Sequence, residues 1–155
     1  LNSELNRTYL AYSSAGAAGA ARQAAQDESN LAASPEAGVQ RIATKAGAQY
    51  RNASWDLLDA LDDNSVRLET IRTEDLPEDM RPMTLDQRRA YVEQLRAERR
   101  RIKDEIQRLT KEREAFLRDK HKHKPRGKTL DSALIQAIRT QAQTVGFTFP
   151  PPSPD

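Results

Sequence analysis

The chain has 155 residues, and large hydrophobic side chains are scarce, because Leu, Ile, Val and Phe together occupy only 28 positions. It contains no cysteine, which excludes disulfides, thiol nucleophiles and cysteine-ligated metals, and no apolar run approaches the roughly 18 residues that a membrane-spanning helix needs. With its abundant Ala, this composition favours an all-α, extended helical protein: one long charged helix with several shorter Ala-rich helices.

The formal net charge of +2 conceals a segregation of charge along the chain. Residues 1–85 carry 8 basic and 13 acidic side chains, whereas residues 86–128 carry 16 basic and 8 acidic ones. A basic arm beside acidic flanks either binds an anionic partner or folds back on the N-terminal half of its own chain. The sequence alone leaves both interpretations open.

Residues 1–83 are predicted to form an Ala-rich helical region with loops. An Ala/Gln-rich helix is expected over residues 17–33, with a narrow face of small side chains that suits close helix approach. Ser34 followed by Pro35 is a favourable helix start, because Ser caps the helix and Pro fits its first turn. That next helix is expected to close at Gly47.

The later part of this region contains the predicted core anchors Trp55, Leu58 and Leu61. Their spacing places them on one stripe of a short helix, for which Asn52 or Ser54 provides the cap. The aspartates of this helix are expected mostly on its opposite, polar face. They lack the alternating ligand order and the central Gly of a calcium loop, and they are Asp56, Asp59, Asp62 and Asp63.

A long charged amphipathic helix is predicted for residues 84–124. Thr84 and Gln87 form a capping box at its start, and no Gly or Pro interrupts residues 85–124. Apolar residues recur there in alternating steps of three and four, which is the spacing of a coiled coil, with Arg99 and Arg113 filling two gaps. We call these apolar residues the heptad seam: Val92, Leu95, Ile102, Ile106, Leu109 and Phe116.

A seam of this kind needs a partner surface, because one helix cannot bury its own apolar stripe. Three arrangements fit the pattern: a homodimeric coiled coil, packing within the chain on the final helix or on a preceding domain, and an isolated solvated helix. The seam is interpreted as the working surface for contact with another protein. On that interpretation, an Ile106→Asp substitution is expected to abolish association.

A basic run within the same helix supplies the candidate anion contacts Arg99, Arg100, Arg101 and Lys103. Such a run is typical of proteins that bind nucleic acid or another anionic polymer, which is the alternative function. Acidic residues interleave along this helix, however, and aromatic side chains for base stacking are absent from the run. These features are more typical of a solvent-facing helix.

The C-terminal part is predicted to comprise a linker with a final helix over residues 125–149 and a proline-rich tail over residues 150–155. His121 and His123 lie in a basic segment, where neighbouring lysines disfavour a metal ion. The sequence contains no nucleophile elbow and no His near a candidate nucleophile. We therefore expect no enzyme activity, no cofactor and no metal.

Three segments together resemble the C-terminal region of exported bacterial proteins that contain a von Willebrand factor type A domain. They are LNSELNRTYL (residues 1–10) with the Ala/Gly/Gln-rich run to Asp27, YRNASWDLLDA (residues 50–60), and DLPEDMR (residues 75–81) with the charged helix after it. The resemblance covers most of the chain. The metal-binding Asp-x-Ser-x-Ser motif of type A domains occurs nowhere in it, so no metal-dependent adhesion is implied for any residue here.

The resemblance implies a periplasmic or extracellular location and a type A domain upstream, with residues 1–12 as the exit from that domain. The chain begins without Met, so it is interpreted as a fragment from which the signal sequence is missing. Together, these features predict a non-enzymatic helical module for protein–protein interaction or scaffolding. Its expected partner is a second copy of itself or the upstream type A domain.

Overall fold

A computed structural model of the chain describes residues 1–122 and 130–147. The protein is all-α, and within those residues the one strand-like pairing is an isolated antiparallel bridge between Ala11 and Asp56. Short 3₁₀ turns at Thr73–Asp75 and Glu78–Met80 precede the long helix. The helices are α1 Asn2–Arg7, α2 Gly16–Ala33, α3 Pro35–Ala46, α4 Leu57–Asp62, α5 Leu85–Lys122 and α6 Leu130–Thr144.

The chain divides into two compact units, residues 1–113 and residues 114–155. Residues 84–113, which include the first part of the long helix, therefore share a unit with residues 1–83. His123, most of the predicted linker and the tail lie outside the described residues. No helix among the described residues combines the length and the apolar character that crossing a membrane requires.

Helix starts follow the predicted capping chemistry at two positions. The Ser34 hydroxyl accepts a hydrogen bond from the Ala37 N–H at 3.0 Å, directly before Pro35 opens α3. At the start of α5, the Gln87 side chain accepts from the Thr84 N–H at 2.8 Å, and the Thr84 hydroxyl accepts from the Gln87 N–H at 3.3 Å. This reciprocal pair is the capping box.

The small-residue face of α2 brings that helix close to Trp55. A Cβ atom built on Gly19 would lie only 2.2 Å from Cγ of Trp55, so no larger residue fits at this position without displacing the indole. Trp55 in turn packs against Tyr9, with 5.5 Å between the ring centroids. The small-residue face predicted for residues 17–33 thus has a specific contact here. Trp55 lies in the turn before α4 and not on that helix, so its predicted place on one helical stripe with Leu58 and Leu61 is wrong.

Two buried apolar clusters hold the first unit together. The larger contains the core anchor Leu58, with the core anchor Leu61 partly buried at its edge; its fully buried members are Leu10, Leu57, Leu58, Leu68, Leu76, Met80, Val92 and Leu95. The smaller consists of Leu5, Ala46, Ile102 and Ile106, with Tyr9 and Ile42 packed against it. Helix α5 contributes to both clusters, so its first part packs with residues of α1, α3 and α4.

The residues of the heptad seam consequently differ in their exposure to solvent. Its residues from Val92 to Ile106 are buried against other helices of the same chain, whereas Leu109 is 39% exposed and Phe116 is 60% exposed. Of the three arrangements that the sequence allows, packing on the preceding part of the chain describes residues 92–106. This buried portion cannot also serve as the surface for a partner, which corrects the seam interpretation for four of its six residues.

Candidate functional site

Arg99 forms the centre of a buried ionic cluster within the first unit. Its Nη1 donates to Asp56 at 2.7 Å and to Asp59 at 3.1 Å, its Nη2 donates to Asp56 at 3.2 Å and to the Thr8 carbonyl, and its Nε donates to the Thr8 hydroxyl at 3.0 Å. All five N–H donors of the guanidinium are therefore used. The Tyr9 ring lies 4.4 Å from the guanidinium carbon, a cation–π distance.

Asp56 joins three elements through this cluster. Besides binding Arg99 of α5, its carboxylate accepts from the Leu10 N–H at 2.7 Å and caps α4 by accepting from the Asp59 N–H at 3.2 Å. Burial, and then the charge of Asp56, raise the pKa of Asp59, although the Asn52 N–H and Arg99 act against this rise. Burial lowers the pKa of Arg99, but its bonds to Asp56 outweigh burial and leave that pKa raised.

Three expectations from the sequence are wrong at this cluster. Asp56 and Asp59 do not lie on a solvated face but are buried, and Asp56 itself is the cap expected from Asn52 or Ser54. Arg99 is 6% exposed and fully occupied by internal acceptors, so it offers nothing to an external anion. The physical reason is that the aspartate face of α4 packs toward α5, where a single guanidinium forms an ion pair with both carboxylates.

A second polar cluster ties α1 to α2 and α3. Lys45 is completely buried, and its three ammonium donors bind Asp27 at 2.5 Å, Asn6 at 2.5 Å and Asn2 at 2.9 Å. Arg41 Nε also donates to Asp27, at 2.9 Å. Burial raises the pKa of Asp27, but the hydrogen bonds from Lys45, Asn6 and Arg41 outweigh it and lower that pKa to about 2.

The low pKa of Asp27 predicts an acid-sensitive contribution to stability. Because the folded pKa lies below the unfolded one, the carboxylate stabilises the fold by about 2 kcal/mol at neutral pH, and this is lost as the pH falls from about 4 to about 2. We expect Asp27→Asn to lower the free energy of urea unfolding at neutral pH, with the difference from wild type shrinking toward pH 2. A difference that stays constant over this range would contradict the assignment.

A groove of about 610 Å³ lies between the end of α3 with its following loop, helix α4, and one face of α5. Charged side chains of both signs line it. The cations are Arg51, Arg96, Arg99, Arg100 and Lys103. The acidic residues are Asp59, Asp62, Glu93 and Asp104.

Most of the cations at the groove already have partners. Arg96 binds Asp62 and Glu93, each at 2.5 Å, Arg51 binds Asp63 outside the groove at 2.5 Å, and Arg99 belongs to the buried cluster. Arg100 and Lys103 form no hydrogen bond or ion pair with any described residue. Arg100 is exposed and Lys103 is half-buried.

The remaining basic residues of α5 show how the two charged halves of the chain meet. Arg89 binds Glu69 at 2.9 Å and Arg96 binds Asp62, so part of the basic arm is neutralised by the acidic region before it. Arg101, another candidate anion contact, is exposed and lies outside the groove. The arm thus folds back on its own N-terminal half over residues 89–99, as one of the two sequence interpretations predicts.

The described residues contain no group of three or more His, Asp or Glu side chains arranged to hold a metal ion. Neither a family model, nor a curated protein, nor a solved structure matches this chain.

Proposed function

We propose that this chain is a non-enzymatic helical interaction module that associates with a second copy of itself. The observation that carries the proposal is the distribution of exposed large hydrophobic side chains. Eleven are exposed among the described residues, and eight of them lie at or after Leu109. Residues 1–108 bury nearly all of theirs.

Helix α6 presents three of these exposed apolar side chains. Leu134, Ile135 and Ile138 are each more than half exposed, and Val145 just after the helix continues their spacing at intervals of three, four and seven. A 15-residue helix is marginal in water when its apolar face has nothing to pack against. A partner that covers this face would therefore supply stability as well as contact area.

The charge of α6 supports a second copy as the partner. Its sequence contains one acidic residue, Asp131, and one basic residue, Arg139, so the helix is neutral overall and two copies do not repel each other. An apolar stripe can pack against the same stripe of a second copy across a two-fold axis. The upstream type A domain and an exported location stay predictions that rest on the three sequence segments alone.

We expect Leu134→Glu to convert the wild-type dimer into a monomer. The substitution places a charge on the apolar face of α6, where a partner would have to desolvate it. The matched control is Leu31→Glu, the same change at a residue of α2 that is 66% exposed, against 57% for Leu134. Light scattering across a range of protein concentrations measures the mass of each variant.

The salt dependence of the dimer tests the nature of the contact. An apolar interface persists at high salt, whereas an association driven by the basic arm weakens steeply. A wild-type chain that is monomeric at every concentration would contradict self-association. Equal loss of dimer in Leu31→Glu and Leu134→Glu would show that the contact does not lie on α6.

A further inference from the structure

Lys103 is an unusual residue in the groove, because it is half-buried and has no hydrogen-bond or ion-pair partner among the described residues. A lysine that loses water normally gains an acceptor, since an unpaired ammonium is costly to desolvate. Burial is the main cause that lowers the pKa of Lys103, and the nearby cations Arg99 and Arg51 lower it further. The negative charge of Asp59 acts to raise the pKa of Lys103, but the pKa stays lowered.

The carboxylates at the groove are poor acceptors for Lys103. Asp59 is engaged by Arg99 and by the Asn52 N–H, and Asp62 and Glu93 are both engaged by Arg96. Arg100, one turn before Lys103 on the same face of α5, is likewise without a partner among the described residues. The groove therefore has two cations that form no hydrogen bond or ion pair with any described residue.

We propose that this groove binds an acidic segment of a protein partner, with Lys103 and Arg100 holding its carboxylates. The site lies within the first unit, and it does not rest on self-association through α6. It also differs from a general attraction to the basic helix, because only the cations that line the groove and lack internal partners contribute to it.

The dimensions of the groove favour an extended polypeptide as the occupant. The α5 face that lines it runs from Glu93 to Gln107, which corresponds to about 21 Å along a helix. That distance matches about six residues of extended chain. Sites for small molecules are usually enclosed and mostly apolar, whereas charged side chains dominate the lining here.

The distribution of charge along the groove sets the direction of the segment. Around Arg96 the two carboxylates of Asp62 and Glu93 outnumber the single cation, so no positive charge is left for the ligand at that end. The cations without a partner among the described residues are Arg100 and Lys103. Acidic residues of the segment consequently lie at the Lys103 end, where Asp59 and Asp104 are the lining carboxylates that oppose them.

The test is a titration of isotope-labelled full-length protein with a hexaglutamate peptide, followed by amide chemical shifts, with hexaglutamine as the neutral control probe. We expect hexaglutamate alone to shift the amides of residues 48–51 and 100–107. Lys103→Gln is expected to weaken binding about tenfold, since it removes a charge-assisted hydrogen bond. Arg100→Gln is expected to weaken it about threefold.

Two further variants separate the groove from the charge of the helix as a whole. Arg101→Gln removes the same charge one residue away but outside the groove, and it is expected to leave the affinity within about twofold of wild type. Asp104→Asn removes the opposing carboxylate, and we expect it to tighten binding about twofold. Binding of hexaglutamate should also raise the pKa of Lys103, because the peptide carboxylates favour the charged ammonium.

Several results would overturn the proposal. An equal loss of affinity in Arg100→Gln and Arg101→Gln would indicate diffuse attraction to the helix. Binding of a short oligothymidylate at the same amides, with tighter affinity than hexaglutamate, would identify the site as one for nucleic acid instead. The absence of any shift with hexaglutamate, in protein whose spectrum shows that it is folded, would show that the groove takes no acidic segment.

Discussion

Replacement of Arg99 by Met is expected to lower the free energy of unfolding by about 3–5 kcal/mol, the cost of leaving buried charge without its partner. The guanidinium is the shared donor to Asp56 and Asp59, and both carboxylates lie almost entirely out of water. Without it, these carboxylates must be protonated, hydrated or forced apart. Met fills a similar volume, so the loss measures the charge and the hydrogen bonds more than an empty cavity.

Urea unfolding followed by far-UV circular dichroism measures this effect, with Arg101→Met as the matched control. Arg101 is exposed two positions further along the same helix, so its replacement is expected to change the free energy of unfolding by less than about 0.5 kcal/mol. Adding Asp56→Asn and Asp59→Asn to the Arg99→Met chain should recover part of the loss, because the buried charges are then absent. Equal stability of the two single variants would contradict the role of the cluster.

Local sequence signals predict the starts of two helices well. The capping residues Ser34 and Thr84 act through groups within three positions of them, so the pattern contains both partners of each hydrogen bond. The sequence predicts the long charged helix from Thr84, and the structure starts α5 at Leu85. An all-α fold with one dominant helix can thus be predicted from the sequence.

The ionic cluster cannot be predicted in the same way. Arg99 binds Thr8 from 91 residues away and Asp56 from 43 residues away, and neither separation leaves a periodic signal. An Arg in an otherwise apolar heptad position fits a solvated gap, a register-setting polar contact or a buried salt bridge equally well. One signal is available: Asp56 and Asp59 are three residues apart and so share a helix face, and the chain has its excess of cations in residues 86–128.

The groove, too, cannot be predicted from the sequence, because it is formed by residues from separate segments of the chain. Its lining comes from the loop after α3, from α4 and from α5, which are separated by tens of residues in sequence. The sequence groups Arg99, Arg100, Arg101 and Lys103 because they are neighbours in the chain. The fold separates them, since helical rotation buries Arg99, directs Arg100 and Lys103 to the groove and leaves Arg101 outside it.

Ile106→Asp is the second substitution with a large expected effect, and it decides what the heptad seam does. Ile106 is 3% exposed and packs with Leu5, Ala46 and Ile102 of its own chain. The four members of this cluster carry no cation to receive a carboxylate, so we expect the free energy of unfolding to fall by about 4 kcal/mol or more. The sequence alone predicts a loss of association from this substitution instead.

Phe116→Asp provides the comparison, because Phe116 belongs to the same heptad seam but is 60% exposed. Its effect on the free energy of unfolding is expected to stay below about 0.5 kcal/mol. Urea midpoints and light scattering on both variants separate the two roles of the seam. A folded Ile106→Asp chain that keeps the wild-type midpoint and loses only its dimer would mean that the seam packs between chains. A collapse of stability in Ile106→Asp, with Phe116→Asp unaffected, places the first part of the seam within one chain, where it positions Arg99 between the two buried carboxylates.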